Sequence, residues 1–307
     1  MPDEPNPHGR RSYPRAGALA LAVALAFPVA SCASADPEPA ETPKTAATAL
    51  PSASASGTAS AQPTPANSES DTPAKEQVTL PKLDNRNAIA FAPLDDPGKV
   101  KTEGSVSDSS AWSTSKVLVV LAYIDKMADG DPDKLSGEQK ELIRRALTAS
   151  DMDALLTLRG QIPGGSGAPM TQIVRSIGDN QTAPWPDSRE GSHQWSIQNQ
   201  VKFMAALDAG KVVSPEASKY VLATMRPIPE HSWGLGTIGA DAFKGGWLTP
   251  DTDTRQMGIV DGYSVAIITD GVGPAVVQTD GDSAHVRQMN KLAKILKRYL
   301  DAESDSG

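Results

Sequence analysis

The chain has 307 residues, a formal net charge of −8 and one cysteine. This acidic balance without a basic stripe argues against a nucleic-acid partner. One cysteine excludes a disulfide framework and a Cys/His metal cluster, and the four histidines are scattered, so we expect no metal or other cofactor. The length allows one large domain or two small ones.

The N-terminus predicts an export signal. Residues 1–31 carry three arginines, at 10, 11 and 15, followed by an apolar stretch at 16–29 that is short for a membrane span. The signal ends in Val-Ala-Ser before Cys32, which resembles the bacterial lipobox, where this cysteine is lipidated. We therefore expect a lipoprotein held by Cys32 to the outer face of the cell membrane. The alternative is a soluble secreted chain with a chance cysteine, and the export route, Sec or twin-arginine, stays open.

Residues 32–77 predict a disordered tether. They are almost wholly Ala, Ser, Thr, Pro and acidic residues, which cannot build a core. A Pro-rich linker is extended and spaces a domain from the membrane. We assign 78–307 to the globular domain and expect it to be a monomer.

Strands are predicted at both ends of the globular part. The turn Asp95-Asp96-Pro97-Gly98 separates the first two, and the dipeptide Asp261-Gly262 is a strong hairpin signal between the last two. The predicted strands are 87–94, 99–106, 241–248, 256–260 and 263–269.

Helical spacing fills the middle of the chain. A capping box at Ser136 and Gln139 opens one helix, and an amphipathic helix closes the chain. The predicted helices are 113–128, 136–147, 154–158, 171–177, 197–207, 215–225 and 285–300. The order of the predicted strands and helices along the chain predicts an α+β fold. It would hold an antiparallel sheet of about five strands built from both ends of the domain, a terminal helix and an inserted all-helical subdomain.

The first of these helices has a chemically suggestive start. Residues 117–124 have no polar face, which predicts burial on all sides. Ser113 and Lys116 lie one turn apart on one face. A lysine in a dry site loses its proton more easily, and a serine beside a base can become a nucleophile. In a Ser-rich chain, however, Ser-x-x-Lys also occurs by chance.

Two further motifs follow in a fixed order. The three motifs are Ser113-x-x-Lys116, Ser150-Asp151-Met152 at a helix break, and Lys244-Gly245-Gly246 on a late strand. They resemble the Ser-x-x-Lys, Ser-Asp-Asn and Lys-Thr-Gly elements of the penicillin-recognising serine hydrolases, the class A β-lactamases and penicillin-binding proteins. The segments 148–156 and 173–180 also resemble the corresponding sequences of class A β-lactamases. Segment 244–248 resembles a sequence found in actinobacterial β-lactamase-like lipoproteins. The resemblance covers 87–300.

The resemblance implies a role for each motif residue. Ser113 would attack an acyl carbonyl, Lys116 would take its proton, and Ser150 would relay a proton to the leaving group with help from Lys244. The backbone amides of Ser113 and Trp247 would hold the oxyanion. The substrate would be a small-molecule or peptidoglycan-peptide acyl compound, contacted by Met152, Trp185, Gly245 and Gly246.

Three departures bear on activity. Met152 stands where the family has Asn, and Gly245 stands where a hydroxyl residue would contact the substrate carboxylate. The class A Trp-Glu pair, whose Glu activates the deacylating water, is replaced by Trp185-Pro186. The resemblance therefore implies slow deacylation and no efficient β-lactam hydrolysis.

Three interpretations remain open. The chain is a serine acyl hydrolase or transferase acting on a cell-wall peptide, ester or β-lactam. Alternatively, it is a catalytically degenerate protein that binds peptidoglycan or a cell-wall partner, or it is an unrelated structural lipoprotein. In each case His193 and His231 are expected at the surface or behind the site, not as a catalytic base.

Overall fold

A computed structural model describes residues 80–106, 109–185, 189, 191–247, 253–271 and 284–305. These residues belong to one compact unit, 72–307. The predicted signal, the lipidation site Cys32, the tether and Pro186 all lie outside the described residues, so those assignments stay predictions.

The described elements form one five-stranded antiparallel sheet and seven α-helices. The strands are β1 (Asn87–Pro93), β2 (Lys101–Gly104), β3 (Ala242–Trp247), β4 (Thr254–Val260) and β5 (Tyr263–Thr269). The helices are α1 (Lys116–Ala128), α2 (Gly137–Thr148), α3 (Met152–Gln161), α4 (Gly167–Ser176), α5 (Ile197–Asp208), α6 (Pro215–Thr224) and α7 (Ala284–Ser304). The sheet order is β2-β1-β5-β4-β3. The α+β prediction is confirmed.

Strand β1 joins the two ends of the domain. It pairs with β2 on one side and with β5 on the other, with Ala90 opposite Ala266. Its side chains alternate between two cores, because Ala88 and Ala90 face the helical layer while Ile89 and Phe91 face α7. Strand β2 is shorter than the predicted 99–106, and its exposed residues form an edge of the sheet.

Helix α1 is the centre of the helical layer. Every residue from Val117 to Ile124 is fully buried, as its all-apolar pattern predicts. It packs against α2, α3, α4 and α6. Burial of one Val, Leu or Ile side chain stabilises a fold by about 1.5–3 kcal/mol, so this helix is a major source of stability. It ends at Asp129, which takes a left-handed conformation with φ 50°.

Side-chain caps set the starts of α2, α3, α5 and α6. The predicted capping box is present, since the Ser136 hydroxyl accepts from the Gln139 amide and the Gln139 side chain accepts from the Ser136 amide. Helix α4 begins at Gly167, four residues before the predicted Thr171. Its first turn holds Pro169, which is tolerated there because the first amides of a helix have no intrahelical partner.

The last two strands form the predicted hairpin. Asp261 and Gly262 have φ values of 49° and 79°, which is the left-handed pair that a two-residue turn requires. Strand β3 then lies at the far edge of the sheet, beside the turn that precedes α1. Among the described helices, none has the length and hydrophobicity needed to cross a bilayer.

Candidate active site

Ser113 lies in a 3-10 turn, Trp112–Ser115, that leads into α1. The sequence placed Ser113 inside the α-helix, and the structure corrects this: Lys116 is the first α-helical residue. The reason is local. The Thr114 hydroxyl donates to the Ala111 carbonyl, and the Ser115 hydroxyl donates to the Trp112 carbonyl at 2.6 Å. Side-chain hydroxyls that bond to nearby backbone carbonyls favour such tighter, non-α turns.

The backbone before Ser113 is strained and held in place. Trp112 has a φ of 45°, which is rare for a residue other than glycine. Its amide donates to the Gly191 carbonyl at 2.6 Å, and the Ala111 amide donates to the His193 carbonyl at 2.9 Å. Backbone strain of this kind persists only where surrounding contacts enforce it, and it concentrates at functional sites.

A buried arginine anchors the same segment. Arg255 is fully buried on β4, and its guanidinium donates to the carbonyls of Ser109 at 2.8 Å, Ser110 at 2.9 Å and Trp195 at 2.7 Å. The sequence reasoning missed this residue because the predicted strand began at 256. The sequence showed only a single arginine next to an apolar strand. Without the fold, such an arginine could be either buried or exposed.

Strand β3 meets the Ser113 turn at Gly246. A Cβ built at Gly246 would lie 2.9 Å from the Ser113 amide nitrogen and 3.0 Å from that of Thr114. Only glycine permits so close an approach of the strand to the turn. The next residue, Trp247, ends β3. The structure thus brings the two segments of the predicted oxyanion site together, while the role of their amides stays a prediction.

Lys244 links β3 to the second motif. Its ammonium lies 2.8 Å from the Ser150 hydroxyl oxygen and 2.7 Å from the Gly245 carbonyl oxygen, and the side chain is almost fully buried. Ser150 sits between α2 and α3 with a φ of 58°, so a second strained residue belongs to the cluster. A direct hydrogen bond thus joins Ser150 and Lys244, while their role in proton relay stays a prediction.

Lys116 contacts Met152, the residue at which the second motif differs from the family sequence. Its Nζ is 3.8 Å from the Met152 Sδ, and Lys116 is 1% exposed whereas Met152 is 50% exposed. A thioether is a weak acceptor. Within the described part of the chain, no hydrogen bond joins the Ser113 hydroxyl to Lys116. Catalytic hydrogen bonds are often long in unliganded sites and shorten when substrate binds.

An aromatic cluster covers the face of Gly245. A Cβ at Gly245 would lie 3.1 Å from the Trp247 ring and 3.7 Å from the Trp233 ring. The Trp247 ring centroid is 5.3 Å from that of Trp233 and 5.2 Å from that of His231. The indole of Trp247 therefore occupies the space that a hydroxyl side chain at position 245 would need.

The remaining predicted residues are more peripheral. The Arg189 guanidinium carbon lies 4.0 Å over the Trp185 ring, and the proposed substrate contact of Trp185 stays a prediction. His193 is 2% exposed, so the surface alternative is wrong for it. Burial lowers the pKa of His193 to about 4, with the Arg255 charge acting in the same direction.

No group of three or more metal-ligating side chains occurs among the described residues.

Comparison with known proteins identifies the fold. No family model matches the sequence, and no curated protein matches it. Solved structures do resemble the chain. A chromosome-encoded β-lactamase of Vibrio parahaemolyticus superposes with a TM-score of 0.52 at 17% sequence identity, and the match covers 70% of this chain and 93% of the β-lactamase chain.

Two other structures agree. A β-lactamase from Chitinophaga pinensis gives a TM-score of 0.51 at 17% identity over 66% of this chain and 92% of its own. PBP-A gives a TM-score of 0.51 at 17% sequence identity, and the match covers 73% of this chain and the whole PBP-A chain. The chain thus has the fold of the class A β-lactamases and related penicillin-binding proteins. At this identity the likeness establishes the fold, and the chemistry must be argued from the site.

Proposed function

We propose that the chain is a serine hydrolase of the β-lactamase and penicillin-binding-protein type that forms an acyl-enzyme on Ser113. One observation carries the proposal: side chains from three distant segments meet beside the Ser113 turn. Lys244 bonds to Ser150, Gly246 touches the Ser113 amide, and Lys116 opens the helix that follows Ser113.

These residues support a complete acylation step. The Ser113 oxygen would attack the acyl carbonyl carbon while its proton passes to Lys116 Nζ. The leaving group would receive a proton from the Ser150 hydroxyl, whose orientation is fixed by Lys244 at 2.8 Å. Backbone amides at the start of a helix and at the end of β3 are suited to hold the oxyanion.

The second half-reaction has less support. Hydrolysis of an acyl-enzyme requires a base that activates water, and the sequence has Trp185-Pro186 where the family has Trp-Glu. Pro186 lies outside the described residues, as do Asp187 and Glu190. We therefore propose a long-lived acyl-enzyme, on a cell-wall peptide, ester or β-lactam substrate, and no efficient β-lactamase activity.

The proposals on location and partners rest on the sequence alone. We propose that lipidated Cys32 holds the chain at the extracytoplasmic face of the cell membrane, with residues 32–77 as a spacer. We further propose that the protein acts as a monomer without a cofactor.

A binding role is the second candidate, and a specific contact favours it. Lys116 contacts the Met152 thioether, a weak acceptor, where the family has Asn, and Gly245 is covered by indole rings. In that case the cleft would hold a peptidoglycan peptide or a cell-wall partner without forming a bond to it.

Covalent labelling separates the two functions. The full chain would be incubated with a fluorescent fluorophosphonate or a fluorescent penicillin, then denatured and analysed by mass spectrometry. A hydrolase gives an adduct on Ser113 that is absent in Ser113→Ala and decays slowly. If no adduct forms, or if it persists in Ser113→Ala, Ser113 is not the nucleophile and the binding role is favoured.

A further inference from the structure

We propose that Met152 is an oxidation site whose sulfoxide binds Lys116. The contact that carries the inference is the 3.8 Å separation between Met152 Sδ and Lys116 Nζ. Met152, the first residue of α3, is 50% exposed. The nitrogen belongs to a side chain that is 1% exposed. A reagent from solvent can therefore approach the Met152 side chain.

The other methionines make this site selective. Five of those in the described part of the chain are fully buried: Met170, Met204, Met225, Met257 and Met289. Among the methionines of the described ranges, only Met127, at 38%, and Met152 are exposed. Met127 lies near the end of α1, and in the described ranges its sulfur accepts no hydrogen bond. It is thus an internal reference for an exposed methionine whose sulfur is not hydrogen-bonded to a lysine.

The reaction needs a hydroperoxide as oxidant. The Met152 sulfur attacks one peroxide oxygen, the O–O bond breaks, and an S–O bond forms. Sulfur loses two electrons, the peroxide is reduced, and the proton of the transferred oxygen moves to the departing oxygen, which leaves as water when the oxidant is hydrogen peroxide. Methionine sulfoxide is polar, and reductases can restore the thioether.

Lys116 should favour the product. A thioether accepts a hydrogen bond weakly, whereas the sulfoxide oxygen carries partial negative charge and accepts strongly. An oxygen added on the lysine side of the sulfur falls within hydrogen-bond distance of Nζ, given the present separation. Oxidation would therefore replace the weak thioether acceptor at position 152 with a stronger oxygen acceptor for Lys116.

The oxidation itself is tested without reference to catalysis. The full chain is treated with dilute hydrogen peroxide, and peptides carrying Met127 and Met152 are followed by mass spectrometry. We expect Met152 to oxidise about fivefold faster than Met127, a ratio equivalent to one hydrogen bond. Equal rates in the folded chain, or a faster Met127, would overturn the proposal.

Two comparisons assign the effect to Lys116. In Lys116→Leu the two methionines should oxidise at similar rates, provided that circular dichroism shows a folded chain. Should this variant not fold, the wild-type chain unfolded in guanidinium serves instead, and the ratio should fall to about one since the contact is lost. A ratio that is unchanged by both treatments means that local sequence, and not Lys116, sets the rate.

The functional consequence rests on the proposed acylation of Ser113. Oxidised wild type and Met152→Gln, which places an amide oxygen near Lys116, should both label with fluorophosphonate faster than the reduced chain. Met127→Leu should respond to peroxide as wild type does, and Met152→Leu should not respond. If Met152 is selectively oxidised but labelling is absent in every form, the oxidation site stands and the proposed hydrolase function fails.

Discussion

Lys244 Nζ lies 2.8 Å from the Ser150 hydroxyl oxygen, although the two residues are 94 positions apart in the chain. This bond joins the edge strand of the sheet to the break between α2 and α3. It fixes where a proton could be delivered to a leaving group. It also gives the buried Lys244 an acceptor in addition to the Gly245 carbonyl.

The first prediction separates the hydroxyl of Ser150 from its backbone conformation. Ser150→Ala and Ser150→Gly both remove the bond to Lys244, and both should reduce the rate of Ser113 labelling by about 10²-fold, as for loss of a general acid. The two variants should differ in their free energy of unfolding, because Ser150 has a φ of 58°, a left-handed conformation that glycine adopts more easily than alanine. The glycine variant should be more stable than the alanine variant by about 1 kcal/mol.

Urea unfolding and fluorophosphonate labelling of the two variants check this. Equal stability of the two variants would contradict the backbone argument, and unchanged labelling would contradict the catalytic one.

The second prediction concerns the approach of β3 to the nucleophile turn. Gly246→Ala places a methyl group 2.9 Å from the Ser113 nitrogen, so strand and turn must separate. We expect a loss of about 1–3 kcal/mol of stability, as for other overpacked sites, together with loss of labelling. The matched control is Gly160→Ala in α3, where nothing lies within 4 Å of the added atom.

The control should stabilise the helix by up to about 1 kcal/mol and leave labelling unchanged. Thermal unfolding and labelling measure both variants. Normal labelling in Gly246→Ala would mean that the turn does not depend on this contact.

The third prediction tests Arg255 as the anchor of the Ser113 segment. Arg255→Met removes the guanidinium that donates to the carbonyls of Ser109, Ser110 and Trp195. Hydrogen bonds to charged groups contribute about 1.5–3 kcal/mol each, so the loss should be at least about 3 kcal/mol. Arg255→Lys should not rescue it, because one ammonium cannot reproduce the planar guanidinium fork.

Arg144→Met is the control. Arg144 pairs with Glu141 at 2.6 Å on the surface, and exposed ion pairs contribute less than about 1 kcal/mol. Guanidinium unfolding at neutral pH compares the variants. Similar losses in Arg144→Met and Arg255→Met would remove the anchoring role.

The fourth prediction concerns stability against pH. Burial lowers the pKa of His193 to about 4 in the folded chain, below the unfolded value near 6.5. Between these values the unfolded chain binds more protons, so stability is full above pH 6.5 and falls as the pH drops towards 4. The loss from His193 is at most about 3 kcal/mol. Burial lowers the pKa of His285 too, which adds to the same trend.

Urea unfolding at intervals from pH 7 to pH 4.5 measures this slope. His193→Leu removes the titrating group, so its slope should be smaller by up to one proton per chain. An identical slope in the variant would exclude His193 as a source of the acid sensitivity.

Much of this protein is determined by local sequence. The apolar run 117–124 forms a helix buried on all sides, because it has no polar face to present to water. The Asp261-Gly262 turn and the Ser136 capping box form as predicted, since both depend on residues a few positions apart. The order of strands and helices was enough to predict a sheet built from both ends of the domain.

Tertiary structure decided what those residues face. The sequence could not show that Lys116 contacts Met152, or that Trp247 covers Gly245. It also gave no sign that Arg255 holds the segment before Ser113 or that His193 is buried. Each of these contacts joins residues far apart in the chain. Local propensity and spacing carry no information on such distances, which are set by how the sheet and the helical layer pack.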